Sequence, residues 1–269
     1  MTQSIDYPAP PSRPREWGRA WGALRNLIAD SERTDQVFEI IRALAGDAFE
    51  HAFQRFRTHP DGAHLLAERP SLLAVLSDRP ALLELPDGSL GRAYAEFMEA
   101  AQLDAAGLVE AEATATQNYD TGARSEDPAR EFFGDRLRDM HDLWHVLTGY
   151  GRDEAGEAAN LAFTFAQVPN LGIGFIVVAG GLLGPKNVSL YWQRYLYNAW
   201  RRGKQTALLT VVPYERLLPL PLAEVRRRLH LPPPRQAHPD GILVGGRNEI
   251  PQVGADGDRP WPMTSRDAA

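Results

Sequence analysis

The sequence of 269 residues contains no cysteine. This absence excludes disulfide scaffolds, thiolate zinc sites, iron–sulfur clusters and cysteine nucleophiles. Any metal ion held by side chains must therefore be bound by His, Asp and Glu.

The chain also lacks a basic surplus. It has 29 Lys and Arg against 35 Asp and Glu, which gives a formal net charge of −6. Nucleic-acid-binding domains usually carry a positive excess, so we expect no nucleic-acid partner. With 43% hydrophobic and 24% charged residues, the composition is that of a globular protein large enough to bury a core.

No apolar run is long enough to span a membrane. The longest, from Leu171 to Gly184, is shorter than the roughly 18–20 residues that a spanning helix needs. The segment is either a core helix, the wall of a lipid tunnel or a helix facing a membrane surface. Because residues 1–14 carry no targeting pattern, we expect a cytoplasmic protein.

Helical periodicity dominates the chain, and no alternating run bounded by hairpin signals is present. The sequence predicts an all-α fold in three parts: a flexible N-terminal arm at 1–14, a multi-helix domain at 15–230 and an extended Pro/Gly-rich tail at 231–269. Within the domain, Trp17, Trp21, Leu24 and Ile28 share one helix face, and residues 59–62 read as a turn. Further helices are predicted at 63–68, 71–76, 90–101, 128–147, 153–168, 189–202 and 222–229.

The chemically informative residues flank the turn after the longest predicted helix. His141 and His145 are four residues apart, so both imidazoles project from one helix face, as in helical zinc sites. Asp142 can reach the metal from the flank or orient a histidine. The Gly149/Gly151 break allows the chain to reverse and place Glu157 opposite the histidines. We therefore predict a divalent metal, most simply Zn²⁺, bound with one position open.

A structural interpretation of these residues competes with the metal site. An isolated His pair on a helix is common, and the neighbouring carboxylates can be solvated surface charges. Arg136 and Arg138 can likewise form ion pairs along their own helix, or bind an anionic group of a substrate.

The sequence resembles the Coq4 family of coenzyme Q biosynthesis proteins. His141-Asp142, His145 and Glu157 match the family's metal-binding motif position for position. The similarity extends over roughly residues 35–230. Its other matching segments are GAHLLAERP at 62–70, LPDGSLGRAY at 85–94, Arg136 with Arg138, the stretch 199–204 and the region of Tyr214 and Glu215.

The resemblance implies an all-helical protein of ubiquinone synthesis at the membrane periphery. It implies a polyprenylated quinone precursor as ligand and metal-dependent oxidative decarboxylation, in which hydroxyl replaces the C1 carboxylate of a hydroxybenzoate ring. Its metal ligands would be His141, Asp142, His145 and Glu157. From their charge, we hypothesise that Arg136 or Arg138 holds the departing carboxylate.

The same resemblance leaves an alternative open, in which the protein is a non-catalytic, lipid-binding scaffold for a quinone-biosynthesis enzyme complex. In either case other enzymes of the pathway are expected partners. We further expect a homo-oligomer located on the inner face of a bacterial inner membrane.

Overall fold

A computed structural model describes residues 9–30, 33–100, 127–183 and 189–232. Within these ranges the fold consists of thirteen α-helices and one 3₁₀ turn, without a β-strand, which confirms the predicted all-α class. Residues 1–8 of the predicted arm and 233–269 of the predicted tail lie outside the described ranges.

The first seven helices precede the undescribed segment 101–126. They are α1 (Trp17–Ala29), α2 (Thr34–Leu44), α3 (Ala48–Thr58), α4 (Pro60–Glu68), α5 (Leu72–Ser77), α6 (Arg79–Leu83) and α7 (Leu90–Ala100). Ser89 begins α7 as predicted, since its hydroxyl accepts the Arg92 backbone N–H at 3.3 Å.

The remaining helices carry the predicted site. They are α8 (Pro128–Thr148), α9 (Glu154–Gln167), α10 (Leu171–Leu183), α11 (Ser189–Gln205), α12 (Tyr214–Leu217) and α13 (Leu222–Arg228), with the 3₁₀ turn Leu209–Val211 before α12.

Three buried clusters hold these helices together. The largest joins α5 to α9 with α11 to α13, and a second packs α3 and α4 against the first turns of α8. The third joins α1, α2 and α10. The site helices α8 and α9 therefore lie in the main core.

The predicted turn at residues 59–62 is wrong. Pro60 instead begins α4, and the Nδ1 atom of His59 accepts the Asp61 backbone N–H at 3.2 Å. A proline fits the first helical position because its missing N–H would have no partner there.

The apolar helix face predicted for α1 is only partly buried. Leu24 is buried, but Trp17 and Trp21 are 46% and 54% exposed. Both indoles contact the edge of the Phe175 ring on α10, with centroids 6.2 and 5.3 Å apart. Together with the outer side of α10 they form a surface that we call the apolar face: Trp17, Trp21, Leu171, Phe175, Val178 and Leu182.

Two residues of the predicted arm contact the domain. The Ser12 hydroxyl donates to the Asp47 carboxylate at 2.5 Å, and the Arg13 backbone N–H donates to the same group at 3.0 Å. Asp47 therefore anchors the chain just before α1.

No described helix is both long and apolar enough to cross a membrane.

Close packing of α9 on α11 depends on a glycine. A Cβ at Gly203 would lie 2.7 Å from both the Ala166 Cβ and the Phe163 carbonyl oxygen. An added methyl group must therefore push apart the two helices.

We expect Gly203→Ala to destabilise the protein by about 2 kcal/mol, or roughly 4–8 °C in Tm, because the contact becomes overpacked. Thermal unfolding followed by circular dichroism measures the change. Gly22→Ala is the matched control, since a Cβ there meets nothing within 4 Å, and its Tm should stay or rise. Equal Tm values for the two variants would contradict this packing.

Candidate metal centre

Helix α8 carries the two histidines in its last two turns. The Asp127 carboxylate accepts the Ala129 N–H at 3.0 Å, and Pro128 occupies the first helical position. Gly149 ends the helix in the left-handed region, with φ 75°. The local sequence thus fixes both ends of the helix that presents His141 and His145.

A tight turn then reverses the chain. The Asp153 carboxylate caps α9 by accepting the N–H groups of Ala155 and Gly156, each at 3.0 Å. A Cβ on Gly156 would lie 2.0 Å from the Gly151 carbonyl oxygen, so only glycine allows this approach. The reversal places Glu157 beside the histidine pair.

The structure brings three donor groups to one point. The Nε2 atoms of His141 and His145 are 3.3 Å apart. One Glu157 carboxylate oxygen lies 3.4 Å from His145 Nε2 and 3.8 Å from His141 Nε2. Donor atoms about 2.0–2.1 Å from a tetrahedral zinc ion lie roughly 3.4 Å from one another. These three residues therefore fit a divalent metal in both donor type and spacing.

A backbone contact sets the orientation of His145. Its Nδ1 atom lies 3.0 Å from the carbonyl oxygen of Tyr150, to which it can only donate. The Nε2 atom is then the one with a free lone pair, and it faces the other donors. Phe97 on α7 stacks against the same imidazole at 5.9 Å.

The centre is closed on one side and open on the other. The His145 side chain is fully buried, whereas those of His141 and Glu157 are 36% and 37% exposed. Three protein donors leave one coordination position of a tetrahedral ion unfilled. Water or a ligand can reach that position from the exposed side.

The pKa of each of the three donors depends on the charge of its neighbours. Burial acts to lower the pKa of His145, but the Glu157 carboxylate outweighs burial and raises that pKa. Burial acts to raise the pKa of Glu157, and hydrogen bonding to His145 outweighs it and lowers that pKa. Burial, aided by the charge on His145, lowers the pKa of His141. A metal ion that binds here competes with protonation of His145, because Nε2 can bind the ion only in its unprotonated form.

Asp142 lies outside this group of three. Its carboxylate is 3.6 Å from the guanidinium of Arg152, which follows the turn. A role for Asp142 in holding the metal stays a prediction.

The two predicted arginines have other partners. The Arg136 side chain is 1% exposed, and its guanidinium forms a bidentate ion pair with Glu215 at 2.7 and 3.1 Å. Arg136 also donates to the Val212 carbonyl at 2.8 Å. Arg138 pairs with Asp135 and Asp139 on its own helix. A contact of either arginine with a substrate carboxylate stays a prediction.

Three further residues of the centre escaped the sequence analysis. They are Tyr150, which acts through its carbonyl, Phe97 on the imidazole, and Arg152 at the open side. Tyr150 lies between Gly149 and Gly151, and Arg152 follows them, but no residue pattern distinguishes their roles. Phe97 is distant in sequence.

Comparison with known proteins supports one family. The family model described as "Coenzyme Q (ubiquinone) biosynthesis protein Coq4" matches residues 17–235. The mitochondrial ubiquinone biosynthesis protein COQ4 of Yarrowia lipolytica is 30% identical over 211 residues, 76% of this chain and 75% of that protein. The rat homologue is 25% identical over 80% of this chain and 77% of its own length.

A solved structure supports the fold. A crystal structure of a candidate ubiquinone biosynthesis protein from Nostoc punctiforme matches with a TM-score of 0.58 and 22% identity. The match covers 81% of this chain and 99% of that one.

We expect the purified protein to bind about one zinc ion per chain, as measured by competition with a chromogenic chelator. His145→Ala and Glu157→Gln should each raise the zinc Kd at least about 100-fold, because loss of even an outer partner of a ligand typically costs 10–100-fold. His64→Ala is the control: this exposed histidine pairs only with exposed Glu68 and Arg216. Zinc binding that is equally strong in all three variants would contradict the site.

Proposed function

Since the chain belongs to the Coq4 family of coenzyme Q (ubiquinone) biosynthesis proteins, we propose that it catalyses a metal-dependent oxidative decarboxylation. The substrate is a polyprenylated hydroxybenzoate-type precursor. Its C1 carboxylate leaves as CO₂ and is replaced by hydroxyl, a change that requires an external two-electron oxidant.

The observation that carries this proposal is the convergence of His141, His145 and Glu157 at a half-open centre. A divalent metal there would bind the ring oxygens and stabilise the negative charge that develops as CO₂ departs. The protein's own part is to hold the three donors and to keep His145 Nε2 directed at the ligand through Tyr150.

Arg152 is the guanidinium best placed to meet the substrate carboxylate. It lies beside the centre, where its charge acts on both His141 and Glu157. Its contact with Asp142 is long, at 3.6 Å, and its side chain is 34% exposed. Arg136, by contrast, is buried in a bidentate pair. Replacing Asp142 by a substrate carboxylate as the partner of Arg152 therefore costs less free energy than breaking the pair of Arg136 and Glu215.

The apolar face supports contact with a membrane and its prenyl lipids. Val178 and Leu182 on α10 are 60% and 72% exposed, and they align with Leu171 and Phe175 on one side of that helix. Trp21 extends the same surface on α1. Exposed aliphatic and aromatic side chains grouped on one surface are typical of proteins that lie at a lipid interface.

This apolar face also favours the second candidate function, a lipid-binding scaffold that organises other ubiquinone-biosynthesis enzymes at the membrane. The two candidates differ in what the isolated protein does. A scaffold binds lipid and partner enzymes but turns over nothing by itself.

We expect purified, metal-loaded protein to convert a short-chain prenylated hydroxybenzoate under air, with the hydroxylated product detected by mass spectrometry. His145→Ala should reduce turnover at least about 1,000-fold, because the ion and its charge stabilisation are lost together. Circular dichroism of the variant checks that the fold survives.

Two arginine variants refine that assay. Arg152→Met should raise KM about tenfold, because a charged hydrogen bond to the carboxylate is lost. Arg33→Met should leave KM unchanged, since that exposed arginine pairs with Asp35 at the start of α2. No turnover by wild-type protein, with prenyl-lipid binding intact, would contradict the enzyme and favour the scaffold.

We expect Trp21→Glu and Val178→Glu each to weaken binding to anionic phospholipid vesicles at least about tenfold, because a carboxylate enters the lipid-facing surface. Sedimentation with vesicles measures the bound fraction. Val75→Glu is the control, since Val75 is 37% exposed on α5, away from the apolar face. Equal losses for all three variants would contradict the proposed orientation.

A further inference from the structure

Asn160 is a buried amide without a partner. Its side chain is fully buried on α9, and neither its Oδ1 nor its Nδ2 finds a hydrogen-bond partner among the described residues. Buried polar groups are almost always paired, because an unpaired one loses its hydration with no compensation. Such a residue calls for an explanation.

Helix geometry places Asn160 one turn from Glu157, a donor of the metal centre. It follows Glu157 by three residues and precedes Phe163 by three, so all three side chains lie along one flank of α9. Both neighbours contact α8: Glu157 reaches the histidine pair, and the Phe163 ring packs against Trp144 with centroids 6.2 Å apart. Asn160 therefore lies on the buried flank of α9 between the residue that reaches the histidine pair and the residue that reaches Trp144, one turn from Glu157.

A second buried amide on the same flank shows the contrast. Gln167 lies seven residues beyond Asn160, and both of its polar atoms are paired. Its Nε2 donates to the Gly203 carbonyl at 2.6 Å, and its Oε1 accepts the Leu209 N–H at 2.9 Å. The fold thus gives both polar atoms of the buried Gln167 amide a hydrogen-bond partner, whereas the Asn160 amide has none among the described residues.

We propose that Asn160 is a binding residue of the metal centre, whose carboxamide would donate a hydrogen bond to an oxygen ligand of the metal on the buried side of the centre. That oxygen belongs to water in the resting protein and to a ring substituent when substrate is bound. The proposal rests on the metal site of the proposed function but not on the identity of the reaction.

The test uses Co²⁺-loaded full-length protein and acetohydroxamate, a simple oxygen ligand for metals, with binding followed by the visible Co²⁺ spectrum. Asn160→Leu should raise the acetohydroxamate Kd at least about tenfold, because a charge-assisted hydrogen bond is removed. The Tm of the metal-free protein should stay or rise, since an apolar side chain of similar size replaces an unpaired amide.

Gln167→Leu is the matched control. It should lower the Tm of the metal-free protein by several degrees, because the Gly203 carbonyl and the Leu209 N–H lose their partner, and it should leave the acetohydroxamate Kd unchanged. If Asn160→Leu does not fold, Asn160→Ala replaces it under the same criterion.

An unchanged acetohydroxamate Kd in the folded Asn160 variant would overturn the proposal, whatever the Tm. Wild-type protein that takes up no Co²⁺ would overturn the metal site, and this inference with it. Protein that binds Co²⁺ and acetohydroxamate with the expected loss in the variant, but turns over no hydroxybenzoate, would support Asn160 and reject only the proposed reaction.

Discussion

The close approach of Gly156 to the Gly151 carbonyl is the constraint on which the centre depends. Any side chain at position 156 would collide with that carbonyl, so the reversal between α8 and α9 requires glycine there. The Asp153 cap then starts α9 at once, which leaves Glu157 within one turn of the reversal. The same turn supplies the Tyr150 carbonyl that orients His145. Local chain geometry, rather than distant packing, therefore assembles the donors.

Contacts with α11 and α12 hold α8 and α9 in place around the centre. The buried pair of Arg136 and Glu215 ties the middle of α8 to α12, and Gly203 lets α11 pack closely on α9. A charge buried in this way is costly unless it is paired, so the pair fixes which surface of α8 faces inward. The side chain of His145, about 180° around α8 from Arg136, is buried as well, while His141 keeps its access to solvent. Rigidity on one side and access on the other are what a ligand-binding metal centre needs.

The sequence predicted the centre well where the signal was local. The spacing of His141 and His145, the glycine break and the following carboxylate sufficed to predict the group that the structure brings together. The ends of α8 were also predictable, since Asp127-Pro128 and Gly149 are strong helix signals.

Long-range contacts could not be predicted. The pairing of Arg136 with Glu215 joins residues 79 apart in sequence, and no local pattern distinguishes it from a substrate contact. Trp17 and Trp21 share an apolar helix face with Leu24 by periodicity, yet each is about half exposed although its indole meets Phe175 on α10. Periodicity shows which residues share a face, but tertiary packing decides whether that face is covered.

X-ray absorption at the zinc edge of the zinc-loaded protein tests the central claim most directly. The account predicts a shell of nitrogen and oxygen donors at about 2.0–2.1 Å, with the multiple-scattering signature of two imidazoles. Replacement of His141 by alanine should reduce that signature to one imidazole. A shell of oxygen donors alone, or one unchanged by that substitution, would contradict a metal held by His141, His145 and Glu157.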